Sequence, residues 1–175
     1  MISAFDVKYF EDDGAMVAAV VFEDFKDSKP FSLYRKKINI VHEYVPGSFY
    51  RRELPCIISL LADIKETIDT IIVDGYVFLG DKPGLGAYLK ERIERTVAII
   101  GVAKSYFKGS DAIEILRGDS QNPLYVSSAG IDPMEAANLI SNMHGKHRIP
   151  TLLKEVDRLT KTHDRSSSKP PDIGR

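Results

Sequence analysis

The apolar residues of this chain fall into continuous runs and helical stripes, and their order predicts a mixed α/β sheet. Thr70-Ile71-Ile72-Val73 has no polar alternation, the mark of a strand buried on both faces, and it stops abruptly at Asp74-Gly75. Thr96 to Val102 is a second such run, followed by Ala103-Lys104-Ser105. Upstream, Ile2 to Tyr9 and Ala15 to Glu23 flank the polar turn Glu11-Asp12-Asp13-Gly14, which is a hairpin signature. Phe31 to Val41 supplies a third strand.

Helical stripes lie between and after these runs. Leu54, Ile57, Ile58, Leu61 and Ile64 share one face of a helix predicted from about Arg51 to Thr67. Ala87 to Arg95 reads as a second helix. Asp132-Pro133 is a strong helix start, an N-cap followed by proline at the first helical position, and that helix is expected to end near His144-Gly145. The last helix, about Thr151 to Thr162, carries Leu152, Leu153, Val156 and Leu159 on one face. Ile113 to Leu116 and Leu124 to Ser127 are short strand candidates.

Three antiparallel strands, then helix, strand, helix and strand, allow a right-handed crossover that sets the first and fourth strands side by side and parallel. A chain of 175 residues is enough for one domain, expected over 1–162. The stretch 163–175, rich in Ser, Lys and Pro, has no apolar pattern and is expected to be disordered.

Composition excludes more than it identifies. With 43% hydrophobic and 28% charged residues, the chain reads as an ordinary globular protein. The single cysteine, Cys56, has no internal disulfide partner and lies in an apolar run, which favours a buried thiol in a reducing, cytoplasmic setting. No apolar stretch approaches a membrane span. A net charge of −1 gives no global attraction to nucleic acid, so such a site requires a local basic patch. Arg35, Lys36, Lys37, Arg51, Arg52, Lys104 and Lys108 are its candidates. The loop Gly80 to Gly86 lacks the spacing of a triphosphate-binding motif, and no nucleoside triphosphate is expected.

The candidate chemistry rests on carboxylates at strand ends. Asp74 closes a buried strand, at the sheet edge where ligands bind in open α/β folds. Asp6 stands inside a strand, where aspartate is disfavoured and calls for a partner. Adjacent strands are about 4.8 Å apart, so both could reach one ion. Glu53, in the first turn of a helix, is either a third acid of that group or a dipole partner. Oxygen-only ligation suits Mg²⁺ or Mn²⁺, and no Cys/His spacing suits zinc. Lys104 would add a cation.

Five segments in order resemble the endonuclease V family: Phe5-Asp6-Val7, Tyr44-Val45-Pro46-Gly47 with Arg52-Glu53, Val73-Asp74-Gly75, Gly101-Val102-Ala103-Lys104-Ser105, and Pro123-Leu124-Tyr125-Val126-Ser127. Arg148-Ile149-Pro150 fits as well. The resemblance implies a ribonuclease H-like fold and a Mg²⁺-dependent endonuclease that hydrolyses the second phosphodiester 3′ of deoxyinosine or inosine in DNA or RNA. It implies that Asp6 and Asp74 hold metal, that Glu53 is the third active-site acid, and that Lys104 meets the scissile phosphate. Tyr44, Pro46 and Gly47 would fill the gap left by a displaced base, and Gly75 would line the base pocket. A monomer is expected.

The sequence departs from that family in three places. Tyr76-Val77-Phe78-Leu79-Gly80-Asp81-Lys82-Pro83 stands where a loop with histidine and arginine is usual. Ser128-Ala129-Gly130 replaces a proline, glycine and histidine, with Gly130 in the histidine's place. The helical segment usual before the first strand is expected to be missing, since that strand begins at Ile2. The alternative implied is a nucleic-acid-binding homologue with weak or no hydrolysis.

Overall fold

The computed structural model describes residues 1–11, 14–39, 46 and 48–162. Tyr44, Gly47 and the 163–175 tail lie outside the described residues. Strands β1 (Ile2–Tyr9), β2 (Ala15–Phe22) and β3 (Ser32–Ile38) form an antiparallel meander. Helix α1 (Tyr50–Leu61) crosses to β4 (Thr70–Asp74), which pairs parallel with β1. A two-stranded ribbon, β5 (Phe78–Leu79) and β6 (Lys82–Pro83), precedes α2 (Leu85–Arg92). β7 (Ala98–Ala103) then pairs parallel with β4. β8 (Ile113–Ile115) and β9 (Leu124–Ala129) close the far side, antiparallel to each other, with β9 also antiparallel to β7. Helices α3 (Pro133–Ser141) and α4 (Thr151–Lys161) complete the chain. The strand order is β3-β2-β1-β4-β7-β9-β8.

The unalternating runs are explained by cover on both faces. Ile71, Val73 and Ile99 pack against Leu54, Ile57 and Leu60 of α1 and Leu89 of α2. Ile72, Ile100 and Val102 pack against Ile140 of α3 and Leu152, Val156 and Leu159 of α4. β1 sorts its side chains by parity. Ile2 and Ala4 join the α3/α4 layer and Phe5 the α1/α2 layer. At the start of α3, Asp132 accepts from the Glu135 N–H at 3.0 Å, as its spacing predicts.

Several predicted elements end differently: the second helix spans Leu85–Arg92, the third stops at Ser141, and two further differences have a visible cause. Helix α1 stops at Leu61, short of Thr67. Its last turn tightens through Asp63 N–H to Leu60 at 2.9 Å, and the residues beyond are drawn to the edge strand. Lys36 of β3 holds Asp63, while the hydroxyls of Ser32 and Tyr34 each donate to Glu66 at 2.6 Å. The stretch Gly80 to Gly86, expected as plain loop, contains the end of the β5/β6 ribbon. A Cβ at Gly84 would stand 2.6 Å from the Tyr76 carbonyl, so glycine lets this turn close onto the segment after β4.

Arg117 is buried, at 5% exposure, in what reads from sequence as a polar turn. Its guanidinium donates to the carbonyls of Ser141, Met143, Gly145, His147 and Arg148 at 2.5–3.2 Å. All five of its N–H groups are used. The arginine thus fastens the turn between α3 and α4. Arg117→Met is expected to cost about 3 kcal/mol by orphaning those carbonyls. Urea unfolding checks it, and a loss below about 0.5 kcal/mol would contradict this role.

Candidate active site

The β1/β4 pairing builds the site. Phe5 is opposite Val73, the last pair of the β1/β4 ladder, and one step further come Asp6, within β1, and Asp74, the last residue of β4. Their parity matches Ala4 and Ile72, so both face the α4 layer. Lys104, two residues past the Asp74 partner Val102, places its Nζ 2.6 Å from Asp74 Oδ2. These three side chains line one pocket of about 280 Å³, together with Lys154, Asp157 and Lys161 of α4.

The segment after Asp74 is held from beneath. Gly75 has φ +119°, which favours glycine, and its N–H donates to Val102 at 3.1 Å. A Cβ at Gly101 would lie 2.6 Å from the Gly75 carbonyl, so β7 must lack a side chain there. Val77 N–H donates to the Ser127 hydroxyl at 2.9 Å, a buried bond. On the other flank, Arg148 donates to the Lys104 carbonyl at 2.5 Å and to Pro123 at 2.8 Å.

Burial dominates the electrostatics, and repulsion among the acids adds to it. Burial pushes the Glu53 carboxyl up to about 9, and the charges of Asp74 and Asp6 push the same way. Glu53 is 7% exposed in the first turn of α1, on the other layer, and its proximity to the pocket is expressed through these charges. Burial also raises Asp6 above the usual carboxylate range, against the Thr160 hydroxyl at 2.8 Å, which lowers it, while Asp74 and Asp157 raise it further. Burial alone would lower the Lys104 ammonium, but the Asp74 contact outweighs it and the pKa is raised.

Among the described residues, no three His, Cys, Asp or Glu side chains form a ready-made metal cage. The donor chemistry nonetheless fits a hard divalent cation. Mg²⁺ typically takes one or two protein carboxylates and keeps several waters. Asp6 and Asp74 are two such carboxylates, and each added anion raises the pKa of its neighbours, a repulsion that a cation would relieve.

The structure adds residues to the site and removes others. Asp157 was not singled out from sequence. It sits one helical turn from Lys161, to which it is paired at 2.6 Å, and that i,i+4 spacing reads as a solvated surface pair. The weak signal available was Thr160, a buried polar residue on the same helix. Pro46 is exposed, and Gly75 adjoins Asp74 as expected.

Gly130 does not belong to the site. β9 runs antiparallel to β7 with Ala129 opposite Ile99, so Gly130 lies past the amino end of β7 and Lys104 past its carboxyl end. The separation is roughly 20 Å. A side chain there would meet Lys90 Nζ at 2.9 Å, so a histidine at this position could not serve the carboxylates. The basic triplet is also divided. Arg35 pairs with Ala18 of the α4 layer and Lys36 with Val17 of the α1 layer, so the three residues do not make one patch.

A seven-stranded mixed sheet, antiparallel then parallel, with helices on both faces and two aspartates on adjacent strands, is the α/β class of fold that solved endonuclease V structures share. An endonuclease V family model matches residues 1–116. Endonuclease V of Xanthomonas axonopodis pv. citri is 30% identical over 182 residues, covering 91% of this chain and 76% of that one. Endonuclease V of Ignicoccus hospitalis is 28% identical over 185 residues, covering 97% and 85%. The chain belongs to the endonuclease V family, a family of nucleases. Solved endonuclease V structures share the fold. That of Bacillus subtilis has a TM-score of 0.75 at 21% identity, covering 91% of this chain and 78% of that one. That of Ciona intestinalis has 0.77 at 19% identity, covering 91% and 83%. Among the described residues, no helix is long and apolar enough to cross a membrane.

The buried Glu53 generates a pH prediction. Its folded pKa is raised, so the proton is bound more tightly in the native state, and stability present below the unfolded value is lost as pH rises toward about 9. Without divalent cation, the Tm of the wild type is expected to fall between about pH 6 and 9, and Glu53→Gln to flatten that fall and raise Tm at the alkaline end. Calorimetric scans across this range check it. Parallel curves for the two proteins would contradict the burial of an uncompensated acid.

Proposed function

We propose that this protein is a divalent-metal-dependent endonuclease that hydrolyses a phosphodiester on the 3′ side of inosine or deoxyinosine, at the second bond, in nucleic acid. The observation that carries the reading is the juxtaposition of Asp6 and Asp74 just past the last β1/β4 pair, with Lys104 against Asp74 and all three in one pocket. The family gives the reaction class. The Ciona intestinalis endonuclease V, of the same fold, was solved with a DNA containing an inosine followed by a ribo-adenosine.

In this reading Asp6 and Asp74 hold Mg²⁺ or Mn²⁺, with Glu53 adjacent. A bound divalent ion would acidify a water and offset the charge gathering on the phosphoryl oxygens. Lys104, paired with Asp74 at 2.6 Å, would add a positive charge beside the phosphate. Thr160 orients the Asp6 carboxylate through its hydroxyl. Asp157, on the pocket wall, contributes a further anion that strengthens cation capture. Tyr44, Pro46 and Gly47 would occupy the gap left by a displaced base, and Gly75, free of a side chain, would let that base approach the backbone.

The catalytically silent binder is the weaker reading: of its two supports, the altered loop after Asp74 and the absence of a histidine at Gly130, the second concerns a position at the opposite end of β7 from Lys104. The test is cleavage of inosine-containing and inosine-free oligonucleotides, as DNA and as RNA, with Mg²⁺ or Mn²⁺. The wild type is expected to cut only the inosine strands, Asp74→Asn to lose cleavage, and calorimetry to show Mn²⁺ binding much weaker in Asp74→Asn. Equal Mn²⁺ affinity in the two proteins would overturn the metal assignment. Inosine-dependent binding without cleavage would establish the binder.

A further inference from the structure

The loop that follows Lys104 presents aromatic rings to solvent. Residues 104–109 are all exposed, and Tyr106 and Phe107 remain 64% and 41% accessible. Scattered exposed apolar residues are ordinary, but two adjacent exposed rings two and three residues past a pocket-lining lysine are not. The loop is held in place. Tyr76 donates its hydroxyl to the Ser105 carbonyl at 2.7 Å and accepts the Phe107 N–H at 3.1 Å. Each exposed ring leans on an inner one. Tyr106 lies 5.7 Å from Tyr125 at 54°, and Phe107 lies 6.1 Å from Tyr76 at 58°. The ribbon turn braces the far end, where a Cβ at Gly80 would come within 3.0 Å of the Gly109 carbonyl. Phe78, 46% exposed, belongs to that same ribbon.

Charge surrounds the rings. Lys104 precedes them and Lys108 follows, and the Cα of Tyr106 is within about 7 Å of that of Lys104. Rigid aromatic faces between cations beside a phosphate-binding lysine match what an unpaired nucleic-acid strand requires, stacking for its bases and positive charge for its backbone. Because the loop is already ordered by Tyr76, little further ordering opposes binding.

We propose that Tyr106 and Phe107 form a stacking platform for unpaired nucleobases of the strand whose backbone passes Lys104. This rests on the nucleic-acid reading above. The platform is independent of base identity, since every base offers a π-face, and it gives the strand a second anchor besides the metal site. It also stands where the segment after Asp74 carries Tyr76 and Phe78, so the aromatic character of the two neighbouring loops is continuous.

Fluorescence anisotropy of a labelled single-stranded inosine oligonucleotide, without divalent cation so that the strand stays whole, tests this directly. Tyr106→Ala/Phe107→Ala is expected to raise Kd about 5- to 100-fold, with the slope of log Kd against log salt unchanged because the phosphate contacts remain. On an oligonucleotide of the same length built from abasic sites, the variant and the wild type are expected to bind alike. Tyr106→Trp would introduce the one tryptophan of a chain that has none, and its fluorescence is expected to be quenched on adding the base-bearing strand but not the abasic one. Thermal unfolding of each variant, close to wild type, shows that the exposed loop was changed without harm to the fold. An unchanged Kd, or an equal loss on the abasic strand, overturns the platform while leaving the nuclease reading intact. Failure of the wild type to bind any oligonucleotide in a salt-dependent manner overturns both, and leaves the rings as a surface for a protein partner.

Discussion

The parallel pairing of β1 with β4 is the constraint on which the site depends. A strand pair fixes register in whole residues, so a one-residue slip would send one of the two aspartates to the opposite face of the sheet. Burial of both faces removes that freedom, because Ala4 and Ile72 belong to one apolar layer, and Phe5 and Val73 to the other. The hydrophobic packing of the sheet is thus what holds two like charges together. Without it they would separate.

Holding them together has an energetic consequence that spreads through the site. Asp6, Asp74, Asp157 and the buried Glu53 oppose one another, while Lys104 pairs with Asp74 and Lys161 with Asp157. A centre of this kind is destabilised in isolation and stabilised by whatever positive charge enters it. The surrounding structure holds the site in place with hydrogen bonds, namely the Thr160 hydroxyl on Asp6, the Arg148 clamp on the Lys104 carbonyl, and behind that the Arg117 clasp on the turn carrying Arg148.

Much of this was legible in the sequence because the signals were local. The unalternating run before Asp74 could only be a strand covered on both sides, and Asp6 in a strand demanded a partner. The mixed sheet and the neighbouring positions of the two aspartates follow from those readings. What escaped was set by contacts distant in sequence. Helix α1 ends early because Glu66 is taken by hydroxyls of β3. Asp157 carries the periodicity of a solvated helix position, and only the docking of α4 over β1 turns it toward the pocket. Gly130 was misplaced for a geometrical reason. The family resemblance put it in the place of an active-site histidine, whereas β9 runs antiparallel to β7 and carries each later residue further from the site.

The bare backbone at Gly101 has a consequence for how this protein can diverge. With the Gly75 carbonyl resting on β7 and Val77 tied to Ser127, the carboxylate end of β4 is anchored before the chain reaches the ribbon. Everything from Phe78 to Pro83 can then be rewritten without shifting Asp74. The fold therefore separates a part that drift cannot touch from a part on which new preferences can be tried, and a single missing side chain marks the boundary between them.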